Sequence, residues 1–162
     1  MRRDCRVAIH MAPTYRLPIQ VLVYCFRRTD DCIEYLLLRR TPKYGGFWQG
    51  VTGAPEVGET LFEGATRELK EETQLLPKTI DQVEFGYSFP VEDDWKWAYD
   101  PYVKIIHEYV FLAEIASCVD PVLSPEHDLF EWASFDRAIG LLKWQNNKEA
   151  LQFCHRLLRD RS

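Results

Sequence analysis

The stretch from residue 60 to 72 restricts this chain more than any other, because it combines a strong helix start with three glutamates on one face. Thr60 stands three residues before Glu63, the spacing of a capping box, in which each side chain accepts from the other's backbone N–H. Phe62, Ala65 and Leu69 then recur at helical spacing, which predicts an amphipathic helix with that stripe on a core. On such a helix Glu68 lies one turn from both Glu71 and Glu72, so three carboxylates converge. Like charges at that spacing repel, so local helix energetics alone disfavour the arrangement. Hard divalent cations take clustered carboxylate oxygens and keep positions open for water and phosphate. An acidic helix also occurs as a solvated face, here with Arg67 and Lys70 as partners, and the spacing alone leaves both readings open.

The rest of the chain predicts what that helix packs on. Segments rich in Val, Ile, Tyr and Phe read as strands at Gln20 to Phe26, Ile33 to Arg39, Phe47 to Val51, Val83 to Ser88, Lys104 to Glu114 and Leu129 to Ser134. Thr29-Asp30-Asp31 is a polar break that makes the first two a hairpin. A short helix is expected over Arg137 to Leu142. A second long one is expected near Asn146, with Glu149 three residues on and Ala150, Leu151, Cys154, Leu157 and Leu158 along one face. Asn146 reads as its cap. Strands, helix, strands, helix point to a mixed α/β domain with helices on a largely antiparallel or mixed sheet. Between Pro90 and Pro101 lies a polar stretch with Trp95 and Trp97, expected to be a long loop of the kind that serves as a lid.

Composition excludes some roles. The chain has 162 residues and a formal charge of −5, whereas a protein built to bind nucleic acid is more often basic. No run approaches the eighteen or so apolar residues of a membrane span, and no apolar stretch like a signal peptide follows the three Arg of Met1 to Arg6. Cys5, Cys25, Cys32, Cys118 and Cys154 are scattered without metal-site spacing and fit free thiols in a reducing cytosol. The expected organisation is a loose tail over residues 1–14 and one domain over 15–162, in the cytoplasm, as a monomer or homodimer, with no nucleic-acid or membrane partner.

Gly53, Glu59, Arg67-Glu68-Leu69 and Glu71-Glu72, separated by five, seven and one residues, resemble the loop-helix-loop signature of the Nudix hydrolases at all but one position. The departure is Gln74, where that signature has a glycine suited to a left-handed helix end, before the expected apolar Leu75. The resemblance implies a central mixed sheet sandwiched between helices and a magnesium-dependent pyrophosphohydrolase, with manganese as a substitute. It implies Glu68 and Glu72 as metal ligands and Glu71 as ligand or base. It further implies a backbone carbonyl at Thr52 or Gly53 facing the metal, and Arg67 holding the glutamates through Glu59. In Pro125-Glu126-His127, similar to a Glu-His pair before a strand in that family, Glu126 is the candidate distal ligand or base, although an exposed Glu in a turn fits the same residues. His127 reads as structural.

Flanking segments resemble the bacterial dihydroneopterin triphosphate pyrophosphohydrolase branch, also described as dATP pyrophosphohydrolases. These are Leu37 to Arg40, Phe47 to Gly53, Tyr99 to Val103 with Glu108 and Phe111, and Trp144, Asn146 and Gln152-Phe153. A phosphorylated small molecule with a flat ring suits them. Trp48 is placed to stack, Gln49 and Asn146 to meet the ring edge, and Arg16, Arg40 or Lys43 to meet phosphates. Trp48 equally fits a core, and Arg40 a surface charge. Dinucleoside polyphosphate hydrolysis and a catalytically silent nucleotide-binding module are the alternatives.

Overall fold

In a computed structural model the described residues are 14–161, so the expected tail falls outside them except for Thr14. The elements in order are β1 (Ile19–Arg28), β2 (Ile33–Arg40), β3 (Trp48–Gln49), β4 (Val51–Gly53), α1 (Leu61–Thr73), β5 (Thr79–Pro90), β6 (Ile105–Glu114), β7 (His127–Ser134), α2 (Phe135–Leu141) and α3 (Gln145–Asp160).

β1 organises the sheet. Its run Val21 to Phe26 is apolar on both faces, as a strand covered on both sides requires, and every one of these residues is buried. β6 pairs with it in parallel along one edge, from Ile19–His107 to Phe26–Glu114. The other edge is shared: β4 pairs with Val21 to Val23, and β2 with Phe26 to Arg28. β2 carries β7 and β3, and β5 closes the far side on β6, giving the order β3-β2-β1-β6-β5. Among the described strand pairs only β1–β6 is parallel, so the sheet is mixed, as expected.

Alternation along the strands sends two sets of side chains to opposite faces. Leu22, Tyr24, Phe26, Leu37, Val110 and Leu112 join Ala138 of α2 and Ala150, Leu151, Cys154 and Leu158 of α3. Val21, Val23, Leu36, Leu38, Phe111 and Ala113 join Ala65 and Leu69 of α1. The sheet is therefore sandwiched between helices. A third cluster, Val91, Ala98, Tyr99 and Ile106, pins the segment between β5 and β6. That segment carries a 3-10 helix, Asp93–Ala98, and is more ordered than a plain loop.

Several boundaries differ from expectation for identifiable reasons. The single strand over Phe47 to Val51 is two short ones, because the chain changes partner at Gly50: Trp48 and Gln49 pair with β2, and Val51 to Gly53 with β1. α2 starts earlier, capped by Ser134, whose hydroxyl accepts from the Arg137 N–H. α3 begins at Gln145 with Trp144 as the flanking residue and no side-chain cap, so Asn146 lies inside the first turn and is not the cap. On α1 the capping box of Thr60 and Glu63 forms, but Phe62 is about half exposed and the buried stripe runs through Leu61, Ala65 and Leu69 instead. Gln74 adopts φ 56° and ψ 14°, so α1 ends in the left-handed conformation without the usual glycine.

Candidate functional site

The acidic face of α1 meets the end of β4. Gly53 leaves β4 so close to α1 that a Cβ there would overlap the Glu68 carboxylate. Arg67 reaches back over the loop between the two elements. Its Nε donates to Glu59 Oε1 at 2.7 Å and its Nη2 to Glu59 Oε2 at 3.0 Å, a two-pronged grip that suits a planar guanidinium. Nη2 also donates to the Ala54 carbonyl at 3.0 Å, while Nη1 donates to Glu68 Oε1 at 2.9 Å and Glu71 Oε2 at 3.1 Å. The Glu56 N–H completes the loop by donating to Glu59. One cation thus fixes three carboxylates and a turn. The hydrogen bonds from Arg67 hold the Glu59 carboxyl below its ordinary range. Burial pushes Glu68 up, with Arg67 opposing.

Glu72, one turn along α1 from Glu68, is 5% exposed. Its Oε2 is buried with no hydrogen-bond partner, and His127 Nε2 stands 3.9 Å off. Both nitrogens of His127 are likewise unpartnered. Burial drives the His127 pKa down to about 4, with Arg40 adding to it, so the ring is neutral near pH 7 and forms no ion pair with Glu72. Burial, then Glu68 and then Glu126, drive the Glu72 carboxyl well above its usual range; Arg40 and a backbone hydrogen bond from Thr52 pull against them. A buried carboxylate oxygen without a partner is costly in a finished fold. A divalent cation would complete it: the donors are all hard oxygens, the net charge is negative, and Glu68 lies against the Gly53 cradle beside it. Among the described residues no three His, Cys, Asp or Glu side chains already surround one point. Glu68 and Glu71 are both held by Arg67, which fixes where their carboxylates stand.

This combination of a glycine cradle, a multiply bonded arginine and a buried glutamate on one helix is carried by a match to the NUDIX domain over residues 16–157. The chain belongs to the Nudix family. A protein of Haemophilus influenzae named dihydroneopterin triphosphate diphosphatase is 33% identical over 156 residues, covering 94% of this chain and 95% of its own. The solved structure of the Escherichia coli dihydroneopterin triphosphate pyrophosphohydrolase matches with TM-score 0.72 and 28% identity, over 87% of this chain and 97% of that one. A Myxococcus xanthus protein named octanoyltransferase is 35% identical over 117 residues, 72% of this chain, but the chain spans only 31% of that protein's length.

Of the remaining expected site residues, Glu126 and Arg40 act on the charge of Glu72, whereas Trp48 packs on the α3 side of the sheet. Glu126, half exposed, approaches Arg40, with Nη2 to Oε2 at 3.5 Å, and is close enough to Glu72 to act on its charge. Arg40 lies 5.3 Å over the Tyr44 ring and keeps a buried, unpartnered Nε. Lys43 reaches the same ring, and exposed Arg16 lies over Tyr99 and acts on Glu68. Trp48 is half-buried, packs against the α3-side core and pairs with Leu142. Gln49 is buried and donates to Thr52 Oγ1 at 3.2 Å. Asn146 is half-buried at the start of α3. The functional reading of the sequence passed over Asn147, whose side chain donates to Tyr87 Oη at 2.7 Å and whose carbonyl accepts from Tyr24 at 2.7 Å. No motif marks such a residue; only its neighbours on other strands reveal it.

Proposed function

We propose that this chain is a magnesium-dependent pyrophosphohydrolase that cleaves a triphosphate bearing a flat heterocycle to its monophosphate and pyrophosphate. Dihydroneopterin triphosphate is the first candidate substrate and dATP or another purine nucleotide the second. The observation that carries the reading is Glu72, a buried carboxylate with a free oxygen, set beside Glu68 in its glycine cradle and within the field of Glu126. Glu68, Glu71 and Glu72 would hold the metal, with Glu126 and the Thr52 backbone at its border; manganese would substitute. When bound, the metal neutralises pyrophosphate charge and lowers the pKa of the attacking water.

The chain's own residues have separate tasks. Arg67 keeps the glutamates in register through its grip on Glu59. Glu71 and Glu126 are the two carboxylates exposed enough to meet the attacking water and take its proton. Arg40, freed from its loose contact with Glu126, meets phosphate. Trp48 offers its ring to the heterocycle, while Gln49 and Asn146 offer amides to its edge. Residues 15–162 act as one domain in the cytoplasm, as a monomer or homodimer, on a small molecule and on neither nucleic acid nor membrane. Among the described residues no helix is long and apolar enough to cross a membrane.

Incubation with Mg2+ and a panel of pterin, purine and dinucleoside phosphates tests this reading. Pyrophosphate release from the first two is expected, and Glu72→Gln should abolish it while the thermal transition is kept. Orthophosphate release, or two nucleotides from a dinucleotide, would replace it with a dinucleoside polyphosphate hydrolase. An unaffected Glu72→Gln variant would remove the metal assignment.

A further inference from the structure

Glu108 in β6 is 3% exposed and sits on the α3 side of the sheet, in the row of side chains that continues as Val110 and Leu112. Its Oε2 accepts from Gln20 Nε2 at 2.5 Å and its Oε1 accepts from the Tyr87 hydroxyl. Tyr87 in turn accepts from Asn147, whose carbonyl accepts from Tyr24. All these partners are neutral, and among the described residues no cation compensates Glu108; burial pushes its pKa up to about 7, with Tyr87 and Gln20 pulling it back. A carboxylate buried without a counter-cation is destabilising. Its neighbours in the same row are aliphatic, so packing alone would be served by an aliphatic residue. A group held at such a disadvantage in the fold is a candidate for a role in binding.

Its position relative to the glutamate cluster is fixed by strand register. At Gly53 β4 faces Glu68 and α1. One residue back, Thr52 pairs with Leu22 and so shares the α3 face, where Gln49 donates to it. Leu22 is also opposite Val110, and Gln20 opposite Glu108 forms the next row on that face, about 7 Å along the strands. β1 therefore lies between β4 and β6, so Glu108 stands two strand spacings, about 10 Å, from Thr52 of β4, on the sheet face opposite Glu68. Trp48 packs against the core on the same face.

Resting on the triphosphatase reading above, we propose that Glu108 determines substrate specificity by taking the adjacent ring N–H and amino group of a 2-amino-4-oxo-pyrimidine edge, as in pterins and guanine. A carboxylate has about four lone-pair positions. Tyr87 uses one on Oε1, and the half-buried Gln20 amide uses one on Oε2. Exchanging Gln20 for two parallel N–H donors leaves Tyr87 in place and gives each oxygen a ligand donor. An adenine edge, which sets an acceptor nitrogen beside its amino group, cannot make that pair.

The test compares GTP with ITP, which differ only in the 2-amino group, using the full chain with Mg2+. The wild type is expected to favour GTP by roughly 10–100-fold in kcat/KM, carried by KM, the range of one good bidentate pair. Glu108→Gln should bring the two within about three-fold in kcat/KM, whereas Tyr87→Phe, which leaves the carboxylate, should keep the preference. Metal-free calorimetric Kd values for GTP and ITP carry the same comparison without turnover or a variant. A wild type without the preference in binding, or a Glu108→Gln variant that retains it, overturns the proposal. Preferential binding of GTP without hydrolysis would support it and sink the triphosphatase reading instead.

Discussion

Gly53 and Glu68 are fitted to each other so closely that the glycine's missing side chain is the space the carboxylate occupies. The overlap that a Cβ would create falls on the far end of a flexible side chain and not on backbone, so the fold can yield where the site cannot. Gly53→Ala is therefore expected to lower kcat/KM by about 100-fold or more, since displacing a reacting geometry by about 1 Å has that effect. Its stability should change by no more than about 1 kcal/mol. Parallel melts and steady-state rates check this. A variant that melts early and keeps its specific activity would show that the glycine serves packing only.

Arg67 makes five hydrogen bonds to Glu59, Glu68, Glu71 and Ala54, and its planar fork is what allows them. Lysine keeps the charge but presents a single point. Arg67→Lys should lower activity at fixed metal by about 10–100-fold, the usual effect of losing a residue that orients metal ligands. The loss should shrink as Mg2+ is raised. A metal titration of rate distinguishes this from loss of substrate affinity, which added metal would not restore.

Gln74 ends α1 with φ 56°, its N–H donating to the Lys70 carbonyl at 2.9 Å, and its side chain is exposed. A residue with a Cβ is strained there by roughly 1–2 kcal/mol, partly offset by the extra freedom a glycine has when unfolded. Gln74→Gly should stabilise the chain by roughly 0.5–1 kcal/mol in urea unfolding, with activity unchanged. Destabilisation would mean the Gln74 side chain makes a contact that matters.

Glu108 couples stability to pH. Its folded pKa, about 7, lies above the ordinary carboxyl value, so the folded state holds the proton more tightly than the unfolded one. That contribution is present in full below about pH 4.5 and is lost as pH rises through 7. Glu108→Gln removes this dependence. The melting temperature of the variant minus that of the wild type should therefore rise from pH 4.5 to 7 and level off above. A flat difference across that window would show that Glu108 titrates normally.

The sequence was most legible where the physics is local. Thr60 and Glu63 cap one helix turn, Glu68, Glu71 and Glu72 share a face because of the helical period, and Thr29 to Asp31 turn a hairpin between β1 and β2. Each involves residues within a few positions of one another, so composition and spacing suffice. Phe62 shows the limit even there: its spacing fits the apolar stripe, but the sheet meets α1 along Leu61, Ala65 and Leu69.

Tertiary structure decided what depends on residues far apart in the chain. The acidic helix needs Gly53 of β4 to receive Glu68, and burial where α1 meets the start of β7 leaves Glu72 and His127 with unpartnered atoms. Gln74 looks like a break in the pattern, yet in the folded chain it takes the conformation a glycine would adopt. Glu108, Tyr87, Asn147 and Gln20 lie up to 127 positions apart and touch only because β1, β5, β6 and α3 meet on one face. The sequence by itself determined the acidic helix and the kind of ion it suits, because side chains a turn apart must share a face. Which groups surround that helix, and which carboxylate lies buried across the sheet, followed from strand register and burial, which only the folded chain sets.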